Sequence, residues 1–148
     1  MYFIDRSKIT ETIAYMNSLV ELYETKKSWD SLEDQLALER LTHNIIESII
    51  DVGNSMIDGF IMRDPGSYDD IIDILTDEKV ISPEMDAPLK RVIGLRKALV
   101  RDFMKMDHQE MIQVLDGTLS ELHSFGPKVE HYLIHELGAV SAFIPEKK

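Results

Sequence analysis

The segment Gly94–Phe103 contains an arginine, Arg96, among residues that a helix would bury. On a helical wheel of about 100° per residue, Arg96 falls between two apolar patches. These patches consist of Val92, Leu95, Leu99 and Phe103, and of Ile93, Val100 and Met104. Because an unpaired buried charge is very costly, Arg96 must contact either an acid from another helix or an anionic ligand. Its planar guanidinium suits both a carboxylate and a phosphate, so the pattern leaves both roles open.

A polar stripe on a preceding helix offers carboxylates to Arg96. Its members are spaced four, three and four residues apart on one helix face: Glu47, Asp51, Asn54 and Asp58. This stripe is either a solvated face or a partner for Arg96. Because the Glu-x-x-His pairs of a di-iron bundle are missing, we predict no metal site and no cofactor. His131 and His135 lie one helical turn apart without a third zinc ligand, and we interpret them as a surface pair.

Positive charge is concentrated in one stretch of an acidic chain. The net charge of −11 opposes charge-driven binding to nucleic acid or to an anionic membrane. Residues 90–105 nevertheless carry six basic residues against a single acid, Asp102, which gives +5. The basic residues are Lys90, Arg91, Arg96, Lys97, Arg101 and Lys105. Two interpretations stay open: this stretch binds phosphate, or its residues pair with the acids of the polar stripe.

Apolar periodicity predicts an all-α fold, an antiparallel bundle of four to five helices in a single domain over residues 1–148. Helices are predicted over residues 6–24, 32–62, 67–78, 84–105 and 109–137. We expect Asp5 or Ser7, Asp30 or Ser31, and Asp107 to act as N-terminal caps. Gly126-Pro127 is expected to kink or divide the last helix near Phe125, and Gly138 to cap its end.

The helix predicted over residues 32–62 carries two apolar stripes. The first contains Leu38, Leu41, Ile45, Ile49, Val52, Met56 and Phe60, and the second contains Ile46, Ile50, Ile57 and Ile61. Together they cover more than half of the helix circumference. We therefore predict that a second subunit covers part of this helix; the alternative is a central helix in a monomer.

Several classes of protein are excluded or disfavoured by composition. The chain has no cysteine, so neither a disulfide framework nor a thiolate metal site can form. The first residues lack a signal-peptide pattern, and no apolar run approaches the roughly 18 residues that cross a membrane. We therefore expect a cytoplasmic protein of bacterial type that does not bind membranes. Gly-rich phosphate loops and nucleophile elbows are also missing.

The order of elements and several local strings resemble the HepT-like proteins of the HEPN superfamily over nearly the whole chain. The strings are residues 47–54, Ser67-Tyr68-Asp69-Asp70-Ile71 and, above all, Gly94–Phe103. Such proteins are small helical toxins of bacterial toxin–antitoxin pairs. The resemblance implies a dimer in which an arginine and a histidine of both chains meet in a cleft and cleave RNA without a metal.

The family's Arg-x4-His-x-Tyr motif is degenerate in this chain. Arg96 matches the motif arginine, whereas Lys97, Arg101 and Phe103 replace the usual asparagine, histidine and tyrosine. RNA cleavage through the 2′-hydroxyl needs a group that exchanges a proton near neutral pH, and a guanidinium stays protonated. The resemblance therefore implies that Arg96 is the remaining catalytic residue and that the cleft has lost its base. Other implied cleft residues are Lys97, Arg101, Asp102, Phe103, Glu47, Asp51 and Asn54.

Three functions stay open. The first is a homodimeric, catalytically degenerate module that binds RNA or a protein partner. The second is an active metal-independent endoribonuclease toxin with another proton acceptor, for which Asp51, Glu47 and His108 are the candidates. The third is a structural or regulatory dimer without RNA contact, which the overall acidity favours. The resemblance also implies a nucleotidyltransferase-type antitoxin that adenylates the motif tyrosine, but Phe103 has no hydroxyl to accept adenylate.

Overall fold

The computed structural model describes residues 5–136, and within this range every regular element is helical, which confirms the predicted all-α class. Seven α-helices and one 3-10 helix follow one another along the chain. Their bounds are α1 Arg6–Thr25, α2 Leu32–Gly59, α3 Tyr68–Asp77, α4 Pro83–Gly94, α5 Arg96–Arg101, the 3-10 helix Phe103–Lys105, α6 His108–Gly117 and α7 Leu119–Glu136. None of these helices is long and apolar enough to cross a membrane.

The starts of α1, α2 and α6 are fixed by local side-chain caps, as the sequence predicted. The Asp5 carboxylate accepts a hydrogen bond from the Ser7 amide, and the Asp107 carboxylate accepts one from the Glu110 amide. At the start of α2, Ser31 and Asp34 form a capping box in which each side chain accepts from the other's backbone amide. These interactions involve residues two or three positions apart, which is why the sequence alone reveals them.

α2 is the central helix of the fold, since it packs against α1, α3, α5 and α6. Its second apolar stripe is buried within the chain itself, at Ile46, Ile50 and Ile57. The double stripe therefore reflects burial by neighbouring helices of the same chain and no longer argues for a partner subunit. α2 ends at Gly59, earlier than predicted, and Ile61 follows with a positive φ of 55° and a side chain that is 63% exposed.

The helix predicted over residues 84–105 is divided into α4, α5 and the 3-10 helix. The Leu95 amide donates to the Val92 carbonyl three residues back, so a tight turn separates α4 from α5. Gly94, a weak helix former, directly precedes this turn. Beyond it, Val100, Phe103 and Met104 are 45%, 60% and 85% exposed, so parts of both predicted apolar patches face solvent.

The C-terminal division predicted at Gly126-Pro127 is wrong. The break occurs instead at Thr118, between α6 and α7, and α7 continues through Pro127. Gly126 allows α7 to pack closely on α1, because a Cβ at this position would lie 2.6 Å from Ile13 Cγ2. α7 therefore passes close to α1 at the residue before Pro127, which itself lacks a backbone N–H to donate. Gly138 lies outside the described residues.

Candidate functional site

The start of α3, the end of α4 and the whole of α5 enclose a groove of about 620 Å³. We call it the arginine groove, after Arg96. Its lining residues are Ser67, Tyr68, Asp69, Ile93, Gly94, Arg96, Lys97, Val100 and Arg101. The groove thus contains the segment Gly94–Phe103 only in part, because Asp102 and Phe103 do not line it.

Arg96 makes two contacts that orient its guanidinium. Its Nε donates to Glu47 Oε1 at 2.7 Å, and its guanidinium carbon lies 4.5 Å from the centre of the Tyr68 ring. The hydrogen bond with Glu47 raises the pKa of Arg96 above its ordinary value. Within residues 5–136, the terminal nitrogens Nη1 and Nη2 have no hydrogen-bond acceptor. One edge of the guanidinium is therefore held by the protein, while its terminal nitrogens stay available to an anion.

The structure thus brings together Arg96 and one acid of the predicted polar stripe, Glu47, as the ion-pair interpretation expected. The pair is half-buried, with side-chain exposures of 27% for Arg96 and 38% for Glu47. Asp51 and Asp58 border a different cavity, beside Lys8 and Thr12 of α1. Asn54, the remaining member of the polar stripe, borders this cavity as well. Only the first member of the stripe, Glu47, therefore reaches Arg96.

A histidine that sequence reasoning missed lies next to this ion pair. His43 Nε2 is 3.4 Å from Glu47 Oε1, the same oxygen that accepts from Arg96. One turn earlier on α2, Glu39 Oε2 lies 2.8 Å from His108 Nε2 at the start of α6. The spacing of four residues places His43 and Glu47 on the same face of α2, and this could be read from the sequence. That Arg96 of α5 contacts the same carboxylate could not, because it depends on the packing of α2 against α5.

The basic stretch separates into paired and unpaired cations. Lys90 contacts Asp73 at 2.5 Å and Asp86 at 2.8 Å, and these hydrogen bonds raise the pKa of Lys90. Among the residues that the structure describes, Lys97 and Arg101 have no carboxylate oxygen within 4.0 Å. Both line the arginine groove. They are therefore two groove cations that no acid within residues 5–136 neutralises directly.

The Tyr68 wall of the groove is held by a short loop before α3. Arg63 donates two hydrogen bonds to the Asp70 carboxylate, at 2.7 and 2.9 Å, and the Gly66 amide donates a third at 2.8 Å. Chiefly because of Arg63, the pKa of Asp70 is lowered to about 2. Asp70 also donates its backbone amide to the Ser67 hydroxyl at 3.1 Å, which caps α3. These hydrogen bonds position the start of α3 and therefore the Tyr68 ring.

The chemistry available in the groove is anion binding. Two unpaired cations and the free edge of Arg96 match the oxygens of a phosphodiester. Arg101 cannot accept a proton near neutral pH, so it cannot replace a catalytic histidine. Within residues 5–136, no group of three or more histidine, aspartate or glutamate side chains is arranged to hold a metal ion.

Comparison with known proteins identifies the family to which the chain belongs. Residues 9–129 match the family model described as Ribonuclease HepT-like. The chain is 46% identical over 143 residues to YutE of Bacillus subtilis (strain 168), which is named as a candidate RNase, and the match covers 97% of this chain and 99% of YutE. The solved structure of YutE, described as a cytosolic protein, superposes with a TM-score of 0.89 and covers 97% of this chain and 100% of that chain.

Solved toxin–antitoxin structures share the fold at lower identity. A tri-AMPylated HEPN toxin of Shewanella oneidensis in complex with its MNT antitoxin is 19% identical, with a TM-score of 0.72 over 83% of this chain and 96% of that chain. A toxin–antitoxin structure with AMP-PNP is 18% identical, also with a TM-score of 0.72, over 84% of this chain and 96% of that chain. The sequence resemblance is thereby confirmed, and the chain belongs to the HepT-like ribonuclease family.

Proposed function

We propose that this chain, a single HepT-like domain over residues 1–148, binds single-stranded RNA through phosphates in the arginine groove and does not cleave it. The observation that carries the proposal is the presence of unpaired Lys97 and Arg101 beside the free edge of Arg96 in one groove. Glu47 and Asp69 oppose these three cations, so a net charge of about +1 remains at the groove. Such a site binds weakly and loses affinity as salt is added.

Loss of cleavage follows from the residue at position 101. The resemblance to the family motif assigns that position to a histidine, and a guanidinium has no basic nitrogen at neutral pH. Arg101 therefore supplies charge to a phosphate but cannot remove a proton from a 2′-hydroxyl.

RNA affinity measured over a series of salt concentrations tests the binding proposal. For single strands, each phosphate contact contributes about −0.7 to the slope of log affinity against log salt, so three contacts give a slope of about −2 per chain. Arg101→Gln should weaken binding and reduce the magnitude of this slope by about 0.7. Lys128→Gln, which removes an exposed cation on α7, is the matched control and should leave the slope unchanged. Equal slopes in both variants would contradict phosphate binding at Arg101.

We also propose a homodimer, formed through the exposed apolar side chains beside the groove. Val100, Phe103 and Met104 lie within five residues of one another and are 45–85% exposed. Exposed apolar clusters of this kind often mark interaction surfaces. Light scattering at micromolar concentration should give the mass of a dimer, and Met104→Lys should reduce it to a monomer. Ile134→Lys, at a site on α7 that is 67% exposed, is the control; a monomeric wild type would refute the dimer.

A nucleotidyltransferase-type antitoxin is the protein partner that best fits this family, because toxin–antitoxin complexes share its fold. Phe103 lacks the hydroxyl that would carry an adenylate group at the motif position. If a nucleotidyltransferase is encoded beside this chain, we expect the two proteins to co-elute without adenylation of residue 103. Intact-mass and peptide mass spectrometry after incubation with ATP shows whether the chain carries adenylate. Phe103 itself cannot carry one, because its ring has no hydroxyl.

RNA cleavage is the second candidate function, favoured by the RNase name of YutE and by His43 beside Glu47. Highly purified protein, incubated with RNA in the presence of EDTA, tests it. We expect no cleavage by the wild type and a gain of cleavage in Arg101→His, which restores the motif histidine. Cleavage by the wild type that disappears in Arg96→Ala would overturn the non-cleaving proposal, whereas cleavage that survives Arg96→Ala would indicate contamination or another site.

A further inference from the structure

A second cavity, of about 340 Å³, adjoins the arginine groove. Its lining residues are Asn54, Pro65, Gly66, Ser67, Tyr68 and Ile71. Ser67 and Tyr68 line both cavities, whereas Arg96 lines the groove alone. Asn54 lines the second cavity and also the cavity beside α1 that Asp51 and Asp58 border. Tyr68 therefore forms the boundary between a cationic cavity and one without a charged lining residue.

The second cavity has the chemistry of a nucleobase site. Small-molecule sites are mostly apolar concave spaces of roughly 300–1,000 Å³ with a few polar groups, and this cavity lies within that range. The Tyr68 ring, 45% exposed, offers a surface on which a base can stack, and Pro65 and Ile71 supply apolar walls. Proteins that recognise single-stranded RNA stack unpaired bases on aromatic rings in this manner.

Asn54 supplies the polar group that such a site needs. Its side-chain amide has one acceptor and two donors, which match the paired donors and acceptors on base edges. Among residues 5–136, no hydrogen-bond partner occupies this amide, although the residue is only partly exposed. The polar stripe on α2 thus contributes Glu47 to the phosphate side and Asn54 to the adjoining cavity.

The wall of this cavity is held in place by three hydrogen bonds to one carboxylate. Asp70 accepts hydrogen bonds from both terminal nitrogens of Arg63 and from the Gly66 amide, which ties the loop that carries Pro65 to the first turn of α3, where Tyr68 lies. A preformed wall avoids the entropic cost of ordering a loop on binding. The loop is therefore suited to hold a base against Tyr68.

We propose that this cavity binds a nucleobase of single-stranded RNA, stacked on Tyr68 and contacted by Asn54, next to a phosphate held by Arg96, Lys97 and Arg101. The inference rests on the proposed RNA binding and adds a base-recognising subsite to it. It predicts that the protein distinguishes RNA from a bare sugar-phosphate chain of the same length and charge.

Two labelled probes of equal length test the subsite: a single-stranded RNA of about eight nucleotides and its abasic counterpart. Fluorescence anisotropy at low salt gives both affinities. We expect wild type to bind the RNA about tenfold more tightly than the abasic chain, because stacking of one base on an aromatic ring contributes this much. Tyr68→Ala should abolish the difference, while Tyr68→Phe should keep it.

Tyr15→Ala is the matched control, since Tyr15 is 47% exposed and lines neither cavity. It should keep the tenfold preference for RNA. Asn54→Leu, which retains the bulk of the side chain, should make the affinities for oligo(A), oligo(C) and oligo(U) more equal, and it provides an independent test if Tyr68→Ala does not fold.

The outcomes separate the two proposals. Equal affinity of wild type for the RNA and the abasic chain overturns the base subsite and leaves phosphate binding standing. A tenfold preference that survives Tyr68→Ala also overturns the subsite. Absence of binding to both probes at low salt overturns RNA binding itself, and the subsite with it.

Discussion

Replacing Glu47 by glutamine separates a structural role of Arg96 from a phosphate-binding role. Glutamine retains a side-chain oxygen that can accept from Arg96 Nε, which now bonds Glu47 Oε1 at 2.7 Å, but it removes the negative charge. Because the two side chains are 27% and 38% exposed, solvent screens the ion pair and limits its contribution to about 0.5 kcal/mol of unfolding free energy. We therefore expect Glu47→Gln to lower stability slightly.

The same change should tighten RNA binding. A phosphate on the free edge of the Arg96 guanidinium would lie about 7 Å from the Glu47 carboxylate, and two such charges repel by about 0.6 kcal/mol in water and about 2.4 kcal/mol at an effective dielectric of about 20. Since the pair is half-exposed, the lower part of this range applies. Removal of the charge should therefore increase affinity by about three- to tenfold at low salt.

Urea denaturation followed by circular dichroism gives the stability change, and fluorescence anisotropy with single-stranded RNA gives the affinity change. Asp51→Asn is the matched control, because Asp51 lies one turn further along α2, has no contact with Arg96 and loses the same charge. It should change RNA affinity much less than Glu47→Gln does. If Glu47→Gln weakens RNA binding or leaves it equal to the control, the assignment of Arg96 to phosphate is refuted.

Two further predictions concern the scaffold. Gly126→Ala places a Cβ 2.6 Å from Ile13 Cγ2 and should lower the free energy of unfolding in urea by about 1–3 kcal/mol. Gly117→Ala is the control and should not lower this free energy, because its Cβ would have no neighbour within 4 Å. Equal stability of the two variants would refute the close α1–α7 packing. Because Arg63 lowers the pKa of Asp70 from 3.8 to about 2, the Asp70 carboxylate stabilises the fold above about pH 4, and this contribution disappears as the pH falls towards 2. Thermal melts of wild type and Asp70→Asn should therefore differ near pH 6 and converge near pH 2; a difference that does not depend on pH would contradict this linkage.

The sequence predicted those features that depend on neighbouring residues. Helical periodicity identified the all-α class, and short-range chemistry identified the caps at Asp5, Ser31 and Asp107. The sequence also identified Glu47 as a candidate partner of Arg96, because Glu47 belongs to a polar stripe with regular helical spacing.

The remaining features depend on packing between distant segments. The local chemistry of Pro127 predicts a break, yet α7 continues through it, and Gly126 packs closely on Ile13 of α1. Tyr68 reaches Arg96 only through the packing of α3, and His43 reaches the same carboxylate only because α5 lies against α2. A helical wheel shows which residues share a face of one helix, but it does not show which other helices pack against that face. Val100 was predicted to lie in an apolar patch, and it is 45% exposed because no helix within residues 5–136 covers that side of it.

The most direct test of RNA binding in the arginine groove is the affinity of the wild type and of Arg96→Gln for single-stranded RNA at about 20 mM and about 200 mM NaCl. We predict that the wild type binds at the lower salt, that its affinity falls by about 100-fold at the higher salt if three contacts are made, and that Arg96→Gln binds more weakly with a shallower salt dependence. Absence of wild-type binding at the lower salt, or binding that Arg96→Gln leaves unchanged, would contradict the proposed function.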